Sequence, residues 1–431
     1  MYVPFWLYDY DVDAYIRAIG TRTHRDRRGD REVVMIKGNI MMKKWLYLFL
    51  FVCLLVGCSS PAKHVGENIL SASLKETEVS LTDLFNKIEV IPLETNDTAL
   101  MDHVLRILEV DGNYYILNED YPSFQYINIL VFDGEGNFSH TIGKKGQGPK
   151  EYPWLIYDMD IDTEKNLVYM MSPAGIFYLY QLDGNFVRKI GTQTETIYHG
   201  MKLLDTDHIL SWSGSTDIEN HALTIMDVDS AKIIKGLWKD HYNLNWAISS
   251  GFSYHYQGKT YFTPSIERNV YEMIADSLQI AYTWDFGEDN YDASDIRSRL
   301  NGLTHVEKEE YWTEMRKTGA VPYMLLRQGQ TNKYYFTNIL GVLGEYDDKG
   351  YAKNYFSLFY DKDTGKSYYF KKTTEGLAIR PDMFTEDAIC LLVPTEDLEL
   401  LLPVLDETEK AKVMKRKEDD NPCLLKLYFK K

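Results

Sequence analysis

The chain has 431 residues, 45% of them hydrophobic and 14% aromatic, which is enough apolar material for a large buried core. Its formal net charge of −17 disfavours nucleic acid and anionic lipid headgroups as partners. The 33 tyrosines favour β-strands and ligand-facing loops.

The amino terminus has the composition of an export signal. Residues 1–40 are rich in Arg and Asp without sustained periodicity, and we interpret them as an extension upstream of the true start. Residues 41–57 have two lysines before the apolar run Trp45–Val56, which is short for a membrane span. Leu55–Cys58 resembles the bacterial lipobox, which implies cleavage before Cys58 and diacylation of its sulfur. The alternative is an ordinary signal peptide that contains a cysteine. Residues 58–83 are predicted to be a polar tether from the lipid.

A repeated hairpin predicts the fold of the remaining chain. Residues 129–143 (ILVFDGEGNFSHTIG) align without a gap with residues 177–191 (FYLYQLDGNFVRKIG). Each copy has an alternating apolar run, a Gly-Asn turn and a second apolar run, which is the pattern of a β-hairpin. Hairpins that recur about every 40 to 50 residues indicate propeller blades.

In chain order, residues 84–431 predict an all-β, six-bladed β-propeller. Five blades are expected over residues 104–142, 157–190, 199–237, 252–284 and 322–370, with a small helical insertion at about 292–318. The last blade offers only Leu377–Arg380, Ala388–Val393 and Leu424–Phe429, besides a short helical excursion at 395–417. The amino-terminal strand Ile88–Leu93 is therefore predicted to close this blade, which leaves no open sheet edge in the ring.

These features together resemble one bacterial family. The signal, the lipobox, the strand Ile88–Leu93 and the segment Gly146–Tyr152 look like the six-bladed β-propeller lipoproteins of Bacteroidota, which are similar to NHL-repeat proteins. The resemblance implies a location in the cell envelope, at the outer membrane, with contact to the membrane through the lipid anchor only. It implies no established activity.

The predicted loops differ between the two faces of the propeller. Short turns join the first to the second and the third to the fourth strand of each blade, whereas the loops of the opposite face are long and carry Tyr, Trp, His and charge. Such loops commonly bind ligands. Candidate residues for a glycan, a peptide or an envelope protein are Tyr121, Tyr126, Lys144, Lys145, Tyr152, Trp154, Trp212, His221, His241, Trp246, Arg268 and Tyr346. The competing interpretation is that these aromatic side chains pack beneath their own loops.

No motif predicts catalysis, a metal or a cofactor. Asp158, Asp160 and Asp162 alternate along one strand but lack the glycine and glutamate of a calcium loop, so a structural role is predicted. Cys390 and Cys423 are compatible with a disulfide or with two buried thiols, the commoner case. Three classes of function stay open: a binding protein, a structural subunit of an envelope complex, and an NHL-like lyase or lactonase with a metal in the central channel.

Overall fold

The computed structural model describes residues 68–431 apart from 121–122, 193–196, 214–220, 240–250, 293–297, 300–302, 304 and 343–353. The described residues form six mainly antiparallel sheets, each with the strand order of a propeller blade. The predicted all-β, six-bladed propeller is confirmed.

Each of the first five blades contains four consecutive strands. Blade 1 has β3 (His103–Val110), β4 (Asn113–Glu119), β5 (Ile127–Phe132) and β6 (Phe138–Ile142). Blade 2 has β7 (Asp158–Asp162), β8 (Leu167–Met171), β9 (Ile176–Gln181) and β10 (Phe186–Gly191). Blade 3 has β11 (Tyr198–Leu203), β12 (His208–Ser213), β13 (Leu223–Asp227) and β14 (Ile233–Trp238).

Blades 4 and 6 each include a strand from the amino-terminal segment, whereas blade 5 does not. Blade 4 has β15 (Ser253–Tyr256), β16 (Lys259–Phe262), β17 (Asn269–Ile274), β18 (Ser277–Asp285) and β1 (Ile69–Ser71). Blade 5 has β19 (Met324–Gln330), β20 (Tyr334–Leu340), β21 (Tyr355–Asp361) and β22 (Ser367–Phe370). Blade 6 has β23 (Met383–Phe384), β24 (Ala388–Val393), β25 (Cys423–Phe429) and β2 (Phe85–Pro92).

The core lies between neighbouring blades. Strands β3, β7, β11, β15, β19 and β23 come first in their blades, and contacts between β3 and β7, β7 and β11, and β15 and β19 place them next to the axis. Alternating apolar side chains of facing sheets fill the space between blades, as Ile129 and Val131 of blade 1 do with Val168 and Met170 of blade 2.

The ring closes in blade 6, as predicted. β2 pairs antiparallel with β25, so that Ile88 lies opposite Leu427 and Val90 opposite Leu425. Among the described residues, helices α1 (Leu81–Leu84), α2 (His305–Thr318) and α3 (Glu407–Val413) accompany the strands. Helix α3 covers the outer edge of β2, because Glu409 accepts the Val90 N–H at 2.6 Å and Lys412 donates to the Val90 carbonyl at 2.9 Å. A paired and covered edge cannot template association with another chain.

One predicted strand is wrong. Leu377–Arg380 lies in the crossover from blade 5 to blade 6, and the inner strand of blade 6 is instead Met383–Phe384. Leu377 and Ile379 are buried, which produces the strand-like alternation of the sequence. The carbonyl of Ile379 is hydrogen-bonded by the side chains of Asn338 and Ser357, at 3.1 and 2.7 Å, rather than by a neighbouring strand. Alternating burial can thus arise without sheet pairing.

The amino-terminal segment runs around the outside of the ring. We call residues 68–84 the belt. Its β1 pairs in parallel with β18, the outer strand of blade 4, and Thr77 N–H then donates to Tyr369 O of β22, the outer strand of blade 5, at 2.7 Å. The segment predicted as a tether therefore lies against the propeller from Asn68 onwards.

The outer strands that the belt does not reach carry exposed charges. β10 of blade 2 exposes Arg188 and Lys189, and β14 of blade 3 exposes Lys235. Charged side chains at sheet edges discourage edge-to-edge association. Within the described residues, no helix is both long and apolar enough to cross a bilayer.

Candidate functional site

The two faces of the ring differ strongly in loop length. On the lower face no hairpin turn is longer than residues 133–137, and some contain only two residues, as at Asp111-Gly112. On the upper face, the loops between second and third strands and the crossovers between blades include residues 143–157, 286–323, 371–382 and 394–422. The predicted difference in loop length between the two faces is therefore present. Long loops commonly carry binding sites, so the upper face is the candidate binding face.

Three exposed apolar side chains lie on the upper face at blade 1. Leu100 is 47% exposed, Tyr126 is 39% exposed and Trp154 is 52% exposed. They come from three separate connections: the crossover into blade 1, the loop between β4 and β5, and the crossover from blade 1 to blade 2. We call these three residues the blade 1 patch.

Hydrogen bonds hold the three connections together. The hydroxyl of Tyr152 donates to the carbonyl of Ile127, which ties the crossover that carries Trp154 to the loop that carries Tyr126. The side chain of Asn118, near the end of β4, donates to the Leu100 carbonyl at 3.3 Å. The backbone N–H of Asp120 donates to the Tyr126 carbonyl at 3.2 Å. All three connections are therefore tied to the upper end of blade 1.

Carboxylates surround the patch. Burial, and then the nearby charges of Asp120 and Asp102, raise the pKa of the Tyr126 hydroxyl. Beneath the patch, Glu119 and His103 form a buried pair with 2.8 Å between Oε1 and Nδ1. Burial raises the pKa of Glu119, although His103 opposes this shift. Two carboxylates, those of Asp120 and Asp102, thus act on the Tyr126 hydroxyl.

Two predicted ligand residues are core residues instead. Tyr152 is fully buried between blades 1 and 2, with its ring 5.5 Å from that of Tyr178, and burial raises its pKa well above the ordinary value. Trp212 is buried between blades 3 and 4, where its ring stacks on Phe252 at 6.2 Å. Neither ring can contact a ligand, because each fills the space between two sheets.

The predicted cationic residues shape the loops. Lys144 pairs with Glu151 at 3.1 Å, and the Lys145 ammonium donates to the Phe124 carbonyl. Arg268 donates to the Trp284 carbonyl at 2.7 Å, which ties a loop of blade 4 to β18.

The other predicted residues lie elsewhere. His221 is half-buried in blade 3, where its ring covers Gly236 so closely that a Cβ there would lie 2.2 Å away. Cys58, Tyr121, His241, Trp246 and Tyr346 lie outside the described residues. Among the predicted ligand residues that the structure describes, Tyr126 and Trp154 are the exposed aromatic side chains.

Comparison with known proteins places the chain in a family. The profile described as "Domain of unknown function (DUF4934)" matches residues 68–428. The chain belongs to the DUF4934 family. Its matched range begins with the belt and ends in β25, so the family unit contains the closing strand and all six blades. No curated protein matches this DUF4934 chain.

Two solved structures from Bacteroides resemble this DUF4934 propeller. A Bacteroides fragilis protein classed as exported has 18% sequence identity and a TM-score of 0.66, over 84% of this chain and 100% of its own. A DUF4221 family member from Bacteroides vulgatus has 12% identity and a TM-score of 0.50, over 83% of this chain and 99% of its own. At these identities the likeness concerns the fold alone.

Sequence reasoning missed a stacked pair at the mouth of the channel. Tyr157 precedes the inner strand β7, and His199 is the second residue of the inner strand β11. Their rings stack with 5.9 Å between centroids and an angle of 19°. Burial lowers the pKa of His199 to about 4, so the imidazole is neutral at pH 7. Both residues are only half-buried, so the pair adds a neutral aromatic surface near the axis.

A charged network joins the inner strands of this DUF4934 propeller. Arg106 of blade 1 pairs with Asp158 of blade 2 at 3.0 Å, and Asp160 pairs with Lys202 of blade 3 at 3.0 Å. The two aspartates also accept the N–H groups of Met201 and Leu203, each at 2.8 Å. The structural role predicted for these aspartates agrees with this geometry, because they bridge blades 2 and 3.

The network contains pKa shifts in both directions. Burial raises the pKa of Asp158 to about 6 despite the opposing charge of Arg106. The pKa of Asp160 is lowered: burial opposes ionisation, but Lys202, Arg106 and the Leu203 N–H together outweigh it. Asp162, the third aspartate of β7, accepts N–H bonds from Glu164 and Lys165 and so shapes the lower turn.

His255 of blade 4 extends the network. Its Nε2 lies 3.1 Å from the Leu203 carbonyl, and its Nδ1 lies 2.8 Å from the Thr260 hydroxyl. Burial and the charge of Lys202 lower the pKa of His255 to about 4. Because a carbonyl can only accept, the neutral ring carries its proton on Nε2 and accepts from Thr260 at Nδ1.

Among the described residues, no three His, Cys, Asp or Glu side chains are grouped closely enough to hold a metal ion. Cys390 and Cys423 are buried free thiols, and burial raises their pKa values to about 12 and about 11. Of the two alternatives that the sequence left open for these cysteines, a disulfide or two buried thiols, the structure has the two buried thiols.

Proposed function

We propose that the chain is an exported, lipid-anchored protein of the cell envelope that binds a glycan, a peptide or a partner protein through the upper face of its propeller. The binding surface is centred on the blade 1 patch. The anchor is Cys58, at the outer membrane, so that the propeller stays in the envelope while its upper face meets the ligand.

One observation supports this function most strongly: exposed apolar side chains lie on three connections of the long-loop face that hydrogen bonds tie to the upper end of blade 1. Most other exposed large apolar residues of the described chain lie on strands, although Leu400 and Met414 lie in the connection 394–422 of the upper face. Val187, Ile234 and Ile280 are on outer strands, and Met414 follows α3. A contiguous apolar surface rimmed by polar groups is typical of a binding site, whereas single exposed apolar residues are ordinary.

Substitutions of two similarly exposed residues, Trp154 and Val187, test the proposal. Trp154→Ala should weaken binding of the purified full chain to its ligands on a glycan and peptide array by about tenfold or more, since it removes a large aromatic contact. Val187→Ala removes a side chain that is 44% exposed on the outer strand of blade 2, and it should leave array binding unchanged. Both variants should melt within a few degrees of the wild type. Array binding that survives Trp154→Ala but is lost in Val187→Ala would move the binding surface to the outer strands.

The anchor is tested separately. Cys58→Ala should abolish incorporation of labelled fatty acid and release the chain from the membrane fraction, because no other residue in the lipobox offers a sulfur for acylation. Export and folding should be unaffected. Retention of the label in this variant would contradict the lipid anchor.

A further inference from the structure

We infer that the blade 1 patch binds a neutral saccharide. This inference rests on the proposed function and names the chemical class of its ligand. It is drawn from two properties of the patch: exposed aromatic rings, and carboxylates that lie beside Tyr126.

The rings suit the faces of sugar residues. Trp154 and Tyr126 are both partly exposed, and the bond from Tyr152 to Ile127 keeps their loops together. The face of an aromatic ring carries the negative part of its quadrupole and attracts the polarised C–H groups on the flat side of a pyranose. Leu100 adds an aliphatic contact beside them.

The acceptors suit sugar hydroxyl groups. Asp102 and Asp120 lie close enough to Tyr126 to raise the pKa of its hydroxyl. Asp120 uses one carboxylate oxygen for the Tyr126 N–H at 2.8 Å and the other for the Ser123 hydroxyl. An ionised carboxylate has about four acceptor positions, so each aspartate can also accept from a ligand hydroxyl. Such bonds to a charged acceptor are stronger than those between neutral groups.

The same charges disfavour an acidic saccharide. Two of the three lysines in the neighbouring crossover have partners within the loops: Lys144 pairs with Glu151, and Lys145 donates to the Phe124 carbonyl, while Lys150 is exposed. A uronic acid bound against Tyr126 would lie near the carboxylates of Asp120 and Asp102, and like charges at short range repel. The chain as a whole is also acidic, with a net charge of −17.

Paired probes test the inference. Binding of the purified full chain is measured by calorimetry and by saturation-transfer NMR. The probes are a panel of neutral hexasaccharides built from glucose, mannose, xylose or galactose, together with hexagalacturonate as the acidic partner of the galactose probe. At least one neutral probe should bind, and the galactose hexamer should bind at least about tenfold more tightly than hexagalacturonate.

Matched variants locate the site. For the neutral probe that binds best, Trp154→Ala should weaken affinity by about tenfold or more, Trp154→Phe should restore part of the loss by keeping a ring, and Val187→Ala should change nothing. Asp102→Asn should reduce the preference for the neutral over the acidic probe, because it removes one repelling charge. If Asp102 only stabilised the fold, Asp102→Asn would not change the preference for the neutral over the acidic probe.

The outcomes separate the two proposals. Failure of every neutral probe to bind at millimolar concentration overturns the saccharide inference, as does equal binding of the acidic probe. If a basic peptide on the array binds in a manner that Trp154→Ala abolishes, the binding face stands and the saccharide inference is wrong. If Trp154→Ala leaves saccharide binding intact, both the inference and the binding face are contradicted.

Discussion

Deleting residues 68–93 should abolish cooperative folding of the propeller. The deletion removes ten buried apolar side chains, five of them in or next to β2: Phe85, Ile88, Val90, Ile91 and Leu93. At about 1.5 to 3 kcal/mol for each buried apolar side chain, the loss from these five alone is roughly 10 kcal/mol, which is comparable with the total stability of most domains. It also leaves the outer edge of β25 unpaired. Differential scanning calorimetry of the purified variant should show no sharp transition.

A shorter deletion is the matched control. Removing residues 68–75 takes away β1 and the buried Leu70 and Ala72 but keeps β2 in place. This variant should still melt cooperatively, at a lower temperature than the wild type. It should also associate at high concentration, because the upper part of β18 would lose its parallel partner. Equal transitions for the two deletions would show that β2 is not what closes the ring.

Breaking the inner charged network should have the second largest effect. Asp160→Ala should lower the free energy of unfolding by about 3 to 5 kcal/mol at pH 7, the usual cost of removing one partner of a buried ion pair. The change leaves Lys202 without its carboxylate and the Leu203 N–H without its acceptor. Because the pKa of Asp160 lies below its ordinary value in the folded chain, its contribution is present at neutral pH. It disappears only as the pH falls through that lowered pKa.

A surface ion pair between the same two blades provides the control for Asp160→Ala. Arg188 of blade 2 pairs with Asp229 of blade 3, and Asp229 is largely exposed. Asp229→Ala should therefore cost less than about 1 kcal/mol in urea denaturation. If the two aspartate variants lost equal stability, burial of the inner network would not be what makes it important.

Much of the fold could be predicted from local patterns. The repeated hairpin at Gly136-Asn137 and Gly184-Asn185 indicates its own turn, and period-2 alternation marks most strands. The belt could not be predicted, because β1 is a short apolar segment that pairs in parallel with β18 far along the chain. Nothing in Ile69–Ser71 itself specifies that partner. The predicted strand Leu377–Arg380 was wrong for the opposite reason, since its alternating apolar residues reflect side-chain burial without pairing to a neighbouring strand.

The candidate site was only partly predictable. The sequence places Tyr152, Trp154 and Trp212 on or beside long loops, but exposure depends on which ring the neighbouring blade covers. Tyr152 is covered because its hydroxyl reaches the Ile127 carbonyl between two sheets, whereas Trp154, two residues later, stays exposed. The stacked pair of Tyr157 and His199 requires two inner strands to be adjacent, which no single segment of the sequence reveals.

Carbene footprinting of the full chain, purified and in intact cells, tests the central claim most directly. If the upper face at blade 1 binds a ligand in the envelope, labelling of Leu100, Tyr126 and Trp154 should fall in cells relative to the purified chain. Labelling of Val187 and Ile234, which are equally exposed on the outer strands, should stay the same. Protection confined to the outer strands, with the blade 1 patch labelled equally in both samples, would contradict the account.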